Sequence, residues 1–255
     1  MRKTTILAAI AATLALNLAP ATATAPGLAT PFAPAAGSAP GSQAGLVSTP
    51  AAAMTPAATL QAALASSAAL PRVTPGQELE DFNGWLARSE NRAEALAFIG
   101  HLEANGVGNV VPVWQLMRTS SSFRECGASG FEVAPRDKWD HIVTTLKFVQ
   151  QDVVPAVGPV QVVSGYRNEQ LNRCSAGAPR SAHRMFFALD MVPVNASVGR
   201  GDLVRGVCAA HARDGRGFNT GLGFYNGVRF HVDSNGFRKW GADGRGATSP
   251  CASYS

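Results

Sequence analysis

Two short runs decide how this chain folds: Ser181-Ala182-His183-Arg184-Met185-Phe186-Phe187-Ala188-Leu189-Asp190 and Phe230-His231-Val232-Asp233. Ala188 to Val192 alternates, so Ala188 and Asp190 share one face of a strand while Leu189 and Met191 take the other. The second run closes a longer stretch, Leu222 to Asp233, interrupted by Asn226-Gly227, the strongest two-residue hairpin signal. Beyond that turn, Val228, Phe230 and Val232 fall on one face and Arg229, His231 and Asp233 on the other. The apolar set is expected in a core and the polar set in a cleft.

The polar faces of the two strands and the Ser181-Ala182-His183 run ahead of the first carry the chemistry. His183, Asp190 and His231 supply two imidazoles and one carboxylate. Three such ligands leave a fourth position on zinc open for water, an arrangement that suits hydrolysis rather than structure. Arg167 stands at the end of a predicted strand, Val160 to Val163, in Ser164-Gly165-Tyr166-Arg167. A planar guanidinium there can grip oxygens in pairs, which a lysine cannot.

The order of pieces is more specific than any one of them. Ser-Gly-Tyr-Arg is followed by Asn172, Gly177-Ala178, Ser181-x-His183 and Ala188-x-Asp190. Gly-Leu-Gly-Phe-Tyr, Phe-His-Val-Asp and Arg238-x-Trp240 complete the series. From about Val111 to Trp240 this resembles the zinc D-alanyl-D-alanine carboxypeptidases, cell-wall metallopeptidases of the hedgehog/DD-peptidase fold. The resemblance implies an α+β fold, a small antiparallel sheet holding the metal with helices flanking it. It implies His183, Asp190 and His231 as zinc ligands and Arg167 as the group holding a substrate carboxylate or carbonyl oxygen. Ser181 either hydrogen-bonds near the metal or orders its loop.

Two positions depart from that pattern. Phe186 stands where the family usually has glycine, which would let a bulky side chain reshape the pocket wall. Val228 stands where many relatives carry an acidic general base, three residues before the second histidine. Asp233 shares a strand face with His231 and is the local candidate for the base. It is equally a candidate for orienting His231 from behind.

The rest of the chain reads as support. Pro75 to about Asn105 fits one or two amphipathic helices ended by Gly106 and Gly108, and Val110 to Met117 reads as strand or helix. Arg136 to Val154 is the clearest helix, with Trp139, Ile142, Val143, Leu146, Val149 and Val153 on one stripe and Pro155 expected to stop it. Asp202 to Arg213 reads as a helix with Asp202 as N-cap and Gly215 as its stop. His141 is expected as a boundary or surface histidine and His211 as a helix-surface residue near the favourable C-terminal dipole, neither at the metal.

The front of the chain differs in kind. Arg2-Lys3, an apolar run from Ile6 to Ala19 and Ala21-Thr22-Ala23 read as a secretory leader over residues 1–23. No charged residue occurs from Thr4 to Pro71, and residues 24–71 read as an Ala/Pro-rich disordered tether. A helical extension over 72–109 and a catalytic domain over 110–255 follow. The formal net charge of +5 becomes +3 once Arg2 and Lys3 leave. A mild positive charge suits an anionic wall polymer, and no basic cluster with interleaved aromatics points to nucleic acid. Four cysteines, Cys126, Cys174, Cys208 and Cys251, read as two disulfides in an exported protein. Spacing leaves three pairings open; Cys126–Cys174 with Cys208–Cys251 is preferred because each bond ties a loop or tail beside the site.

The expected protein is a periplasmic or secreted, monomeric zinc peptidase acting on peptidoglycan stem or cross-link peptides, without a membrane span after leader removal. The alternative is a non-catalytic zinc-containing module that binds wall peptides.

Overall fold

The computed structural model describes residues 73–254. The leader expected over residues 1–23 and the tether over 24–71 lie outside the described residues. Helices α1 (Leu79–Leu86) and α2 (Ser89–Ala104) occupy the stretch read as helical. The ambiguous apolar run resolves into one short helix, α3 (Val113–Leu116), with Trp114 in it and Met117 at its end both buried.

The long helix begins with a 3-10 turn at Arg136–Lys138 and continues as α4 (Trp139–Phe148). All six residues of its predicted stripe are buried. Pro155 does not stop it. The chain runs through a π turn, Val149–Val153, into a last helical turn, Val154–Val157, that contains Pro155, and ends at Gly158 with φ +77°. Proline has no N–H to give and its ring crowds the preceding turn. A π turn widens the hydrogen-bond register just before it, so the helix continues past the proline.

Five strands follow: β1 (Val160–Ser164), β2 (Ala188–Pro193), β3 (Gly221–Phe224), β4 (Phe230–Asp233) and β5 (Arg238–Trp240). Between them lie α5 (Glu169–Cys174), a 3-10 turn (Ala182–Met185) and α6 (Arg200–Asp214). The sheet order is β1-β2-β4-β3-β5. The first three pairings are antiparallel, as expected, whereas β5 runs parallel to β3. Only three residues long, β5 was too short to be read as a strand. The α6 helix starts at Arg200 with Gly199 as N-cap, so Asp202 lies in its first turn rather than capping it. Gly215 does end it; a Cβ there would meet the His211 carbonyl at 2.5 Å.

One face of the sheet enters the core. Val162, Leu189, Met191, Leu222, Phe224, Phe230 and Val232 join Ile142, Leu146 and Val149 there, along with Phe82 and Phe98 from α1 and α2. Each buried aromatic or aliphatic side chain contributes about 1.5–3 kcal/mol, so this layer holds the opposite, polar face in position. Disulfides Cys126–Cys174 and Cys208–Cys251 form the preferred pairing. Among the described residues no helix is long and apolar enough to cross a membrane.

Candidate metal centre

A single row of residues crosses all five strands on the polar face. Ser164 pairs with Asp190, Asp190 with His231, His231 with Gly223, and Gly223 with Trp240. Directly opposed residues on neighbouring strands bring their side chains together. The register alone therefore sets Asp190 against His231. Gly223 carries no side chain because the Trp240 indole occupies that space; a Cβ would meet it at 2.0 Å. The indole lies 5.3 Å from both the His231 and Tyr225 rings and walls that side of the site.

His183 arrives from the 3-10 turn. Ser181 caps that turn by accepting the His183 N–H at 3.4 Å, which orders the loop. The Ser-Gly-Tyr-Arg segment then holds it residue by residue. Gly165 O accepts from His183 Nδ1 at 2.7 Å, and Arg167 N–H donates to His183 O. Gly165 itself lies against Leu116 O, where a Cβ would stand at 2.6 Å. Ser164 Oγ accepts from Arg167 Nε at 3.0 Å, and Arg167 Nη2 donates to Asp190 Oδ2 at 2.7 Å. Tyr166 packs edge-on against Phe186. Downstream, Asn172 Nδ2 donates to Ala178 O and closes the loop, with Gly177 pressed against the same amide.

Phe186 does not line the cleft. Its backbone is left-handed (φ +58°), the conformation glycine adopts most readily, and its side chain is buried against Phe98 and Tyr166. The position needs a left-handed residue to turn the chain into β2, and a buried ring offsets the strain.

His183 Nε2, Asp190 Oδ1 and His231 Nδ1 converge. Asp190 Oδ1 lies 3.3 Å from His183 Nε2 and 3.0 Å from His231 Nδ1, and the three residues are all buried. Four tetrahedral bonds of about 2.0–2.1 Å would set ligand atoms roughly 3.3 Å apart. The outer hydrogen bonds fix the tautomers. Gly165 O can only accept, so His183 Nδ1 carries the proton and Nε2 is bare. Burial first, and then the Arg167 guanidinium, push His183 down to about 4, so it stays neutral. On His231, Nε2 donates to Asp233 Oδ2 at 2.8 Å, which turns Nδ1 toward Asp190. Burial alone would lower His231, but hydrogen bonds to Asp190 and Asp233 outweigh it and raise it. Burial also favours neutral Asp190, yet His183, His231 and Arg167 hold it well below the usual carboxylate range. Two imidazole nitrogens and a carboxylate oxygen facing one another need a cation between them, a proton or a metal. The donor set and spacing fit zinc.

Asp233 stands behind His231, away from the converging atoms. Its Oδ1 accepts from Asn235 N and Arg238 Nη1, its Oδ2 from His231 Nε2 and Arg238 Nη2. Burial opposes its charge, but His231 and Arg238 prevail and bring it down to about 2. Gly221 makes this possible, since a Cβ there would stand 2.4 Å from Asp233 Oδ2.

Two residues at the centre escaped the sequence reading of the site. Tyr225 Oη donates to Asp190 Oδ1 at 3.0 Å, and Arg229 Nη2 donates to Asp190 Oδ2 at 2.7 Å. Arg229 was readable as sharing a face with His231, and Tyr225 stands just before the turn in the quoted Gly-Leu-Gly-Phe-Tyr run. His141 and His211 are engaged elsewhere, His141 with Met185 O and the Phe187 ring, and His211, buried rather than on the helix surface as expected, with Thr220 O and the Phe237 ring.

Residues 119–233 match the family model described as Peptidase M15, a zinc metallopeptidase family of the D-Ala-D-Ala carboxypeptidase-like kind. The matched segment contains Arg167, His183, Asp190, His231 and Asp233 and ends before Arg238 and Trp240. No curated protein and no solved structure matches the chain.

Proposed function

We propose that this chain, with a Peptidase M15 match over residues 119–233, is an exported zinc peptidase acting on peptidoglycan stem or cross-link peptides. The observation that carries the reading is the convergence of His183 Nε2, Asp190 Oδ1 and His231 Nδ1, with the outer proton of each imidazole committed to Gly165 O or Asp233. Zinc held by these three atoms supplies Lewis acidity and a water whose pKa approaches about 7. Arg167 holds an oxygen of the substrate beside the metal, braced by Ser164 and Asp190. Asp233 orients His231 rather than taking a proton from water. Its oxygens are already occupied by His231, Arg238 and Asn235, and an acid at about 2 is a weak base. Ser181 orders the loop that delivers His183.

A second reading, a non-catalytic zinc module that binds wall peptides, is favoured by one observation. Val228 packs against the core, and the carboxylate nearest the triad besides Asp190 is committed to Arg238. Digestion of purified wall fragments with zinc-loaded protein separates the readings by product mass. Loss of a terminal residue or of a cross-link is expected. Zinc-loaded protein that binds the fragments and leaves them all intact would favour the second reading.

A further inference from the structure

A groove of about 470 Å³ opens between α1, α2, the loop after α3 and the start of α5, and none of His183, Asp190 and His231 lines it. Small-ligand sites ordinarily enclose about 300–1,000 Å³. Trp85, Phe131 and Leu171 give this one apolar walls, with the Trp85 and Phe131 rings 6.2 Å apart. The Cys126–Cys174 bond ties the loop wall to the α5 wall.

Four charged side chains also line the groove, and three of them are answered. Glu94 accepts from Arg136 through both oxygens, at 2.9 and 3.1 Å. Arg88 and Glu90 are exposed, nearly adjacent in sequence, and cancel in net charge. Glu132 remains. It is half-buried, its Oε2 accepts from Asn168 Nδ2 at 2.9 Å, and no cation among the described residues is in ion-pair contact with it. Lys138 attracts it from a distance while donating its own ammonium to Arg184 O and Tyr166 Oη. Burial raises the Glu132 pKa, and the Asn168 hydrogen bond does not cancel that rise.

A buried charge is ordinarily paired, so the chemistry that complements Glu132 is a cation. The walls add a second condition. Aromatic and aliphatic surface suits a cation on an apolar stem, which lies along the surface while its charged end reaches the carboxylate. The amides add a third. Asn91 engages only Nδ2, on Trp85 O, so its oxygen and the Gln170 amide remain for peptide N–H and C=O groups. That favours a cation carried by a peptide over a bare amine.

We infer that this groove binds a lysine-like side chain of a peptide, its primary ammonium against Glu132 and its aliphatic stem along Trp85. The inference needs neither the zinc nor the peptidase reading.

Calorimetry on the disulfide-bonded protein tests it without turnover. The probes are Nα-acetyl-lysine amide, its Nε-acetylated form and cadaverine. The lysine amide should bind roughly 10- to 100-fold more tightly than the Nε-acetylated form, the range of a charge-assisted hydrogen bond. Cadaverine, which has the ammonium and stem without peptide groups, should bind more weakly than the lysine amide. Glu132→Gln, which can still accept from Asn168, should bring the lysine amide down to the acetylated level. Glu132→Asp, one methylene shorter, should lose most of the preference, and it carries the comparison if the glutamine variant does not fold. Thermal midpoints verify the fold of each. Equal binding of the two lysine probes by wild type would overturn the inference, as would no binding of the lysine amide or full preference retained in a folded Glu132 variant. Cadaverine binding as tightly as the lysine amide would overturn the assignment to a peptide.

Discussion

His231 and Asp233 share one strand face two residues apart, and the 2.8 Å hydrogen bond between Nε2 and Oδ2 turns the other nitrogen of that imidazole toward Asp190. The carboxylate meets the ring from the side away from the converging atoms. Asp233→Asn should therefore weaken zinc binding roughly 10- to 100-fold, with activity returning at saturating zinc. Zinc competition against a chelator and turnover at high zinc measure the two effects separately. A loss of roughly 10²–10⁴-fold in turnover that persists at saturating zinc would make Asp233 the general base instead.

Gly223 sits where the Trp240 indole crosses the sheet beside His231. Gly223→Ala should displace that ring and destabilise the fold by about 1–3 kcal/mol, the usual cost of overpacking. Trp240→Ala in the same background should recover part of the loss. Denaturant melts of the two single variants and the double variant give the coupling. Additive effects would mean the contact does not hold Trp240 in position.

Cys126–Cys174 ties the loop after α3 to the end of α5, the helix that follows Arg167. Replacing both cysteines by alanine should cost about 2–4 kcal/mol. Unreduced peptide mapping of wild type should find this bond and Cys208–Cys251, with no free thiol. Two titratable thiols in denatured, unreduced protein would contradict the pairing.

His211 gives a pH dependence. Burial first, with Lys239 and Arg216 adding to it, lowers its pKa below the ordinary value of 6.5. Its Nε2 meets Thr220 O at 2.9 Å, and its ring stacks on Phe237. Above pH 6.5 the residue is neutral in both folded and unfolded chains. As pH falls through that value the unfolded chain takes up the proton first, so stability declines until the folded pKa is passed. Thermal midpoints at pH 7.5 and 5.0 should show a smaller acid-side drop in His211→Gln than in wild type. Equal drops would remove His211 as a cause.

The hairpin and the strands carrying Asp190 and His231 were legible because alternation and Asn226-Gly227 are local signals. Asp190 and His231 were legible because strand periodicity fixes which side chains share a face, whereas His183, in a 3-10 turn, was legible only from the ordered series of motifs. What escaped depends on partners far along the chain. Gly221 and Gly223 look like weak strand residues until Arg238 and Trp240 lie across them. The backbone of Phe186 is left-handed while its ring serves the core, so its size gave no indication of its conformation. Pro155 read as a stop because the π turn that accommodates it has no sequence signature of its own. Arg229 and Tyr225 enter the site only when register brings β3 and β4 beside Asp190.

If His183, Asp190 and His231 hold one catalytic zinc, as proposed, elemental analysis of zinc-supplied protein will find it there. Wild type should retain about one zinc per chain after dialysis, and His183→Ala, with its fold verified by thermal melt, should retain none. Zinc-supplied wild type that retains no metal would contradict the account, as would a folded His183→Ala variant that binds zinc as tightly as wild type.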